Sequence, residues 1–358
     1  MNGPHSVGDI IQERYKILNY VGEGGMQFVY AATDHLLKRQ VALKTPKNES
    51  AQKRFHRSAT VAAQVNHPNV AKTLDYIENA GRQYLIEEFI EGQDLDKAIL
   101  QKSKLLDPYL VARIFHYLAK GLAASHHAGV VHRDLKPTNI MVTDGFQLKA
   151  IKITDFGIAK MADEEIIEAV EGGDESISAS KTVVGAIPYM APEAIETPRE
   201  VGIPADVWSI GAMMYELVAG RKPYGTGLMA VGKILEASPP EVPPFLTSNP
   251  QFAPLSREIL QLIMQCLQKD PSVRPSADTL VSLCGDLCYP IVPRHVGRVN
   301  KILYDAFGFI DVEGTQVFFH FDSVYGERPV AGDKVMLSKF PGEPQWRAHP
   351  VVKFPEES

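Results

Sequence analysis

Cysteine is scarce in this chain of 358 residues. Its three thiols, Cys266, Cys284 and Cys288, are too few and too unevenly spaced for a disulfide framework, which fits a reducing cytosol. Cys284 and Cys288 stand one helical turn apart, a spacing that suits a metal, but no histidine or further cysteine completes a ligand set. Buried core thiols are expected instead. Long apolar runs are missing too: no stretch reaches the roughly 18 residues of a membrane span, and residues 1–10 lack the basic start and apolar run of a secretory leader. A soluble, cytoplasmic protein with no membrane partner is the expectation. Nor is positive charge in excess. Lys and Arg total 37 against 43 Asp and Glu, a formal net charge of −6 that excludes a polyanion binder using its whole surface yet leaves room for a local basic patch.

What is present is enough apolar residue for two cores. The chain is 45% hydrophobic and 22% charged, ordinary for globular domains, and its length suggests about two of them. After an arm at residues 1–12, the alternation from Tyr15 to Val21, then Gly22-Glu23-Gly24-Gly25, then Met26 to Tyr30 reads as strand, glycine-rich turn, strand. A third strand, Gln40 to Lys44, ends in a lysine among apolar neighbours. Residues 51–65 read as a helix that stops at Pro68, and strands follow near 71–77 and 83–90. Beyond Glu91-Gly92-Gln93-Asp94-Leu95 the pattern turns to amphipathic helices at 96–101 and 108–128. A small antiparallel sheet with one helix, a hinge near Glu88 to Gly92 and a helical lobe are therefore expected, with a ligand cleft between the lobes. Residues 161–182 are acidic and rich in Ser and Gly, and are expected to be mobile. Past a proline-bounded linker at 289–294 the period becomes that of short strands, which suggests a small β-barrel.

The densest chemistry lies in His132-Arg133-Asp134-Leu135-Lys136-Pro137-Thr138-Asn139, followed by Asp155-Phe156-Gly157. Phosphoryl transfer needs charge neutralisation and in-line positioning more than covalent help. The residue types suit it. Lys44 can hold the α and β phosphates of ATP. Asp155 and Asn139 can bind Mg²⁺, Asp134 can accept the proton of a substrate hydroxyl, and Lys136 can steady the transferred group. Gly22 and Gly24 would let the backbone approach phosphates, although taken alone a plain hairpin turn is the commoner reason for such glycines. Taken singly, a buried Asp or Lys is more often a structural ion, and His132 a core histidine. It is the combination that argues for chemistry.

These motifs, with the strand Val41-Ala42-Leu43-Lys44, Ala191-Pro192-Glu193 and Asp206-Val207-Trp208-Ser209-Ile210-Gly211, resemble the eukaryotic-type Ser/Thr protein kinase family over residues 13–288. The resemblance implies an α+β, bilobal protein-kinase fold with an N-lobe at 13–90 and a C-lobe at 91–288. It also implies that Val29, Ala42 and Met141 sandwich adenine, that Glu88 to Ile90 supply hinge hydrogen bonds, and that Asp94 reaches the ribose. Glu193 would pair with Arg274, and Asp206 would brace the catalytic loop. Lys136 within its motif marks Ser/Thr specificity, so protein substrates are the implied partners. Ser176, Ser178, Ser180 and Thr182 are the candidate phosphosites.

Four positions depart from the family. Ser58 stands where a helix glutamate pairs with the strand lysine, Gln27 where the third loop glycine is usual, Glu87 at an ordinarily apolar gatekeeper, and Ala186 where a threonine bonds the catalytic Asp. Glu87 is a possible substitute acid for Lys44. An active kinase is the leading reading; the alternative is a catalytically weak ATP-binding pseudokinase scaffold.

Phe307-Gly308-Phe309-Ile310 and Val317-Phe318-Phe319-His320-Phe321 resemble the two aromatic motifs of the cold-shock domain, an OB-type barrel, over about residues 295–354. That resemblance implies single-stranded nucleic acid as a partner, with Phe307, Phe309, Phe318 and His320 stacking on bases. Against it, Lys301 replaces a tryptophan, and from Arg294 onward eight basic residues face nine acidic ones. The same aromatics could instead pack the barrel or dock it on the kinase lobe.

Overall fold

The structure, a computed structural model, describes residues 3–23, 27–156, 185–227 and 229–355. Its first layer is an antiparallel sheet of β1 (Ile10–Ile11), β2 (Tyr15–Glu23), β3 (Gln27–Asp34), β4 (Arg39–Pro46), β5 (Thr73–Asn79) and β6 (Arg82–Glu88), in the order β1-β2-β3-β4-β6-β5. Alternating β-branched and aromatic residues favour these strands, and the pleat sends successive side chains to opposite faces. Tyr15, Ile17, Tyr30, Val41, Leu43, Tyr84 and Ile86 bury one face. The register pairs Val29 with Lys44, Lys44 with Leu85, and Ala42 with Glu87, so Gln27, Val29, Ala42, Lys44, Leu85 and Glu87 share the other. Helix α1 (Glu49–Ala62) covers part of that second face through Phe55 and Ala59 on Leu85.

The amino-terminal arm lies along this sheet: Ile17 N–H donates to Asp9 O (2.8 Å), and His5 packs between Tyr30 and Tyr84. Arg14 forks onto Asp34 through two bonds of 2.7 and 2.9 Å and reaches Asp75 at 3.0 Å, tying the outer ends of the sheet together. The Asp34 side chain is 1% exposed. The Arg14 guanidinium, with the Leu36 and Leu37 amides, holds the Asp34 carboxyl down at about 2.

The second lobe is helical. Asp107 caps α2 (Pro108–His127) by accepting from the Tyr109 and Leu110 amides, with Pro108 opening the first turn where its missing N–H costs nothing. Helix α3 (Ile203–Ala219) is buried on nearly every side, with Trp208, Ile210, Met213 and Met214 fully enclosed. It is packed so closely that a Cβ at Gly211 would stand 2.6 Å from Cys266 Cβ. Helices α4 (Met229–Glu236), α5 (Ala253–Cys266) and α6 (Ala277–Asp286) complete the lobe, and β7 (Gln93–Asp94), β8 (Ile140–Thr143) and β9 (Ala150–Ile153) form its small sheet.

Two expectations change here. Residues 96–101 do not make a regular helix but one π-helical turn, Asp96–Leu100; beyond it buried Ser103 turns its hydroxyl onto Leu105 O. Cys266 and Cys284 are core thiols, but Cys288 lies past the end of α6 and is exposed. The helical spacing of the last two thiols is therefore not realised.

Five strands, β10 (His295–Leu303), β11 (Phe307–Val312), β12 (Thr315–His320), β13 (Lys334–Phe340) and β14 (Arg347–Lys353), close a barrel in the order β10-β11-β12-β14-β13. Val299, Ile310, Val312, Val317, Phe319, Val335, Leu337 and Val351 fill it. Met336, Val352, Phe354 and Tyr325 face outward from it and join the core of the helical lobe. Tyr325 is 1% exposed, meets the Phe252 ring edge-on and donates to Val218 O, while the His349 ring stacks on Phe252 with centroids 5.0 Å apart. Arg294 donates to Asp107 at 2.9 Å, with both side chains buried, and Gln147 exchanges two hydrogen bonds with the Arg294 backbone. The barrel is thus docked on the lobe by residues other than the aromatics of its two motifs.

Candidate active site

The catalytic loop is held from below. Buried Asp206, in the first turn of α3, accepts from the His132 amide at 2.8 Å and the Arg133 amide at 2.7 Å. Arg133 sits at φ 68°, a left-handed conformation that costs about 1–3 kcal/mol for a residue with a Cβ. Two charge-assisted bonds at about 1.5–3 kcal/mol each are enough to offset it. His132 is fully buried; its Nε2 donates to Thr154 O (2.8 Å), its Nδ1 accepts from the Asp134 amide, and its ring meets Phe156 edge-on. It is a packing residue, as the sequence implied. Glu193 and Arg274 form the expected bidentate pair at 2.6 and 2.8 Å.

Above this support the reactive groups converge. Lys136 Nζ lies 2.8–2.9 Å from the two Asp134 carboxylate oxygens, and Asn139 Nδ2 donates to Asp134 Oδ2 at 3.0 Å. The Thr154 amide and hydroxyl both bond Asn139 O, which ties the catalytic loop to the residue preceding Asp155. Ala186 is buried and carries no hydroxyl for Asp134, so Lys136 and Asn139 alone restrain that carboxylate among the described side chains.

The sheet supplies the opposite wall. Lys44 Nζ lies 2.6 Å from Glu87 Oε2 and 2.8 Å from Asp155 Oδ1. Burial works to lower the Lys44 pKa, but the two acids more than offset it and hold the ammonium above its ordinary range. For Asp155 burial works upward, yet Lys44 prevails and holds the carboxyl low. Burial dominates at Glu87 and pushes its carboxyl up against the pull of Lys44. Gln27, which stands where the third loop glycine is usual, reaches down and donates to Asp155 Oδ1 at 2.8 Å. Asp155 itself lies at φ 63°.

Around this cluster, Val29, Ala42 and Met141 are half-buried at the cleft, with Met141 beside Asp94 in the β7–β8 pair. Asp94 bonds Lys97 at 3.0 Å. Glu88 donates its amide to Lys72 O and holds Lys152 of β9 at 2.7 Å, linking the lobes; Ile90 is half-buried just beyond. Gly22 has open space where a Cβ would project. Gly24 and Gly157 lie outside the described residues, as do Ser176, Ser178, Ser180 and Thr182. So does the side chain of Ser58 on α1.

The donor set fits a hard divalent cation. Asp155 offers a carboxylate, Asn139 an amide oxygen once its nitrogen is engaged by Asp134, and the buried Gln27 Oε1 has no hydrogen-bond partner among the described residues although its own amide nitrogen touches Asp155.

On the barrel, Phe307, Phe309 and Phe318 are half-buried against one another with centroids 5.5–6.4 Å apart, and stand apart from both hydrophobic cores. Lys301 lies over Phe309, Arg347 over Phe318 and Lys339 over Trp346. Tyr304, 89% exposed, extends the patch. Tyr304 and Trp346 were missed in the sequence because neither falls within an aromatic motif. His320 borders the patch, its ring held by Asp322 at 3.0 Å.

Comparison with known proteins gives the same outline. The protein kinase domain family matches residues 15–283. A probable serine/threonine-protein kinase of Clostridium perfringens is 35% identical over 290 residues, covering 78% of this chain and 39% of that protein. Serine/threonine-protein kinase PknA of Mycobacterium tuberculosis is 32% identical over 294 residues, covering 77% of this chain and 63% of the relative. The chain thus spans about two fifths to two thirds of the length of these relatives. The solved PknI kinase domain of Mycobacterium tuberculosis superposes with a TM-score of 0.57 at 22% identity over 80% of this chain and all of that one, a likeness of fold.

Proposed function

Because the chain belongs to the protein kinase family, we propose that it is a serine/threonine protein kinase that transfers the γ-phosphoryl group of ATP to protein hydroxyls. The observation that carries this reading is the convergence of Asp134, Lys136, Asn139 and Asp155 from the helical lobe with Lys44 from the sheet, Lys44 meeting Asp155 across the cleft. In this reading Lys44 binds the α and β phosphates, and Gly22 and Gly24 bring the backbone over them. Val29, Ala42 and Met141 hold adenine against the hinge at Glu88 and Ile90, and Asp94 meets the ribose. Asp134 orients the substrate hydroxyl and takes its proton, while Lys136 screens the charge of the group in flight. Asp155 and Asn139 would hold Mg²⁺, which would neutralise charge on the phosphate oxygens. Intact-mass measurement after incubation with ATP and Mg²⁺ tests this: added phosphate on Ser176, Ser178, Ser180 or Thr182 is expected, and no mass gain in folded protein, together with no transfer to any protein substrate, rejects it.

The barrel carries a second function in this reading, as a cold-shock-like OB module for single-stranded nucleic acid. Support comes from the half-exposed Phe307, Phe309 and Phe318 with cations over two of their rings. Stacking contributes about 1–3 kcal/mol per base. Oligothymidine anisotropy at low salt should show binding that Phe318→Ala weakens about tenfold; no binding by the wild type removes the module from this account.

A further inference from the structure

We propose that Glu87 is the positioning residue for Lys44, holding from within the sheet a lysine that family members hold from the helix beside it. This rests on the kinase reading above and concerns the same cleft. The first observation is register. Glu87 pairs with Ala42 across β4 and β6, and Ala42 lies two residues before Lys44, so the pleat aims both side chains into the cleft from neighbouring strands. Contact follows from that geometry, with Lys44 Nζ 2.6 Å from Glu87 Oε2.

The second observation is depth. Lys44 and Glu87 side chains are 7% and 6% exposed, whereas Asp155 is 25% exposed. Asp155, the shallower acid, is the one that would also hold a divalent cation. Glu87 lies deeper and stays with Lys44. Asp155 would then serve two cations, and Glu87 keeps the ammonium aimed.

The third is the nature of the partners. Among the described residues the ion pairs of Lys44 are to Glu87 of the sheet and to Asp155, and the described packing of α1 on this face is apolar, through Phe55 and Ala59. Lys44 and Glu87 belong to one hydrogen-bonded sheet, so their alignment does not depend on where α1 stands. A kinase built this way keeps its lysine aligned without a helix swing.

The test is a set of Glu87 variants of the full chain, Glu87→Gln, Glu87→Met and Glu87→Asp, assayed for ATP kinetics with Mg²⁺ and for equilibrium binding of a fluorescent ATP analogue. The fold should survive, because Lys44 retains Asp155, and Gln is near-isosteric should Met disturb packing. For Gln and Met we expect kcat/KM for ATP to fall about 100-fold, as misplacement of a phosphate-binding group does, with a raised KM and weaker analogue binding. Asp, which restores the charge, should recover at least about tenfold of that loss. Wild-type values in Gln and Met overturn the proposal. If the wild type transfers no phosphate, the kinase reading fails by itself, and analogue binding still decides this one: weaker binding in Gln and Met supports it, and unchanged binding overturns it.

Discussion

The two walls of the cleft are built on different principles. On the helical side the reactive residues are held by backbone: Asp206 takes the His132 and Arg133 amides, and Thr154 bonds Asn139 O. On the sheet side they are held by charge, with Lys44 between Glu87 and Asp155. Among the described side chains, backbone support leaves Lys136 and Asn139 to restrain the Asp134 carboxylate. Charge support gives the lysine two acids at once, Glu87 and Asp155. One wall is set by bonds to backbone, the other by a cluster of charges.

The comparison is broken most forcefully at Asp206. Asp206→Asn removes the negative charge that two strained-loop amides bond, and should lower stability by about 3 kcal/mol and collapse turnover. Chemical denaturation and transfer assays read both, and an intact loop in this variant would mean that Arg133 needs no such brace. A smaller effect is expected at the far edge of the sheet. The Asp34 pKa is depressed to about 2 by Arg14, so its contribution is present above the unfolded value of about 4 and is lost as pH falls through about 2. Asp34→Asn should therefore cost about 2 kcal/mol at pH 7, with the difference from wild type shrinking below pH 4. A difference that persists to pH 2 would show that the site acts by packing. The smallest effect sharpens the contrast: Ala186→Thr, which offers Asp134 a hydroxyl, should raise turnover about fivefold, the worth of one hydrogen bond. A gain larger than that at Ala186 would mean that the helical wall is less preorganised than its backbone bonds suggest.

Much of the helical wall was legible in the residues themselves. Asp134, Lys136, Asn139, Asp155, Glu193 and Arg274 sit in short motifs whose spacing follows from their chemistry, and the structure brings their side chains into the expected pairs where the family predicts pairs. The sheet wall was less so. Glu87 was visible as an odd gatekeeper, but its bond to a lysine 43 positions earlier depends on the register of two strands. Gln27 stood out as a departure at the third loop glycine, but nothing in local sequence marks its partner, an acid 128 residues away. The barrel shows the same limit. Its strands announced themselves by their period of two, while Met336, Val352 and Phe354 read as ordinary strand residues, and their docking role appears only once the helical lobe covers them. The helix expected at 96–101 and the core position expected for Cys288 failed because each lay at the end of an element, where capping and chain direction outweigh periodicity.

The central claim is that both walls act together on ATP, and radiolabelled transfer tests it most directly. The wild-type chain, incubated with γ-labelled ATP, Mg²⁺ and a generic basic protein, should label serine and threonine. Asp134→Asn should lose about 10²–10⁴-fold of that rate while still binding nucleotide. Equal labelling by the two proteins, or none by the wild type, would contradict the account.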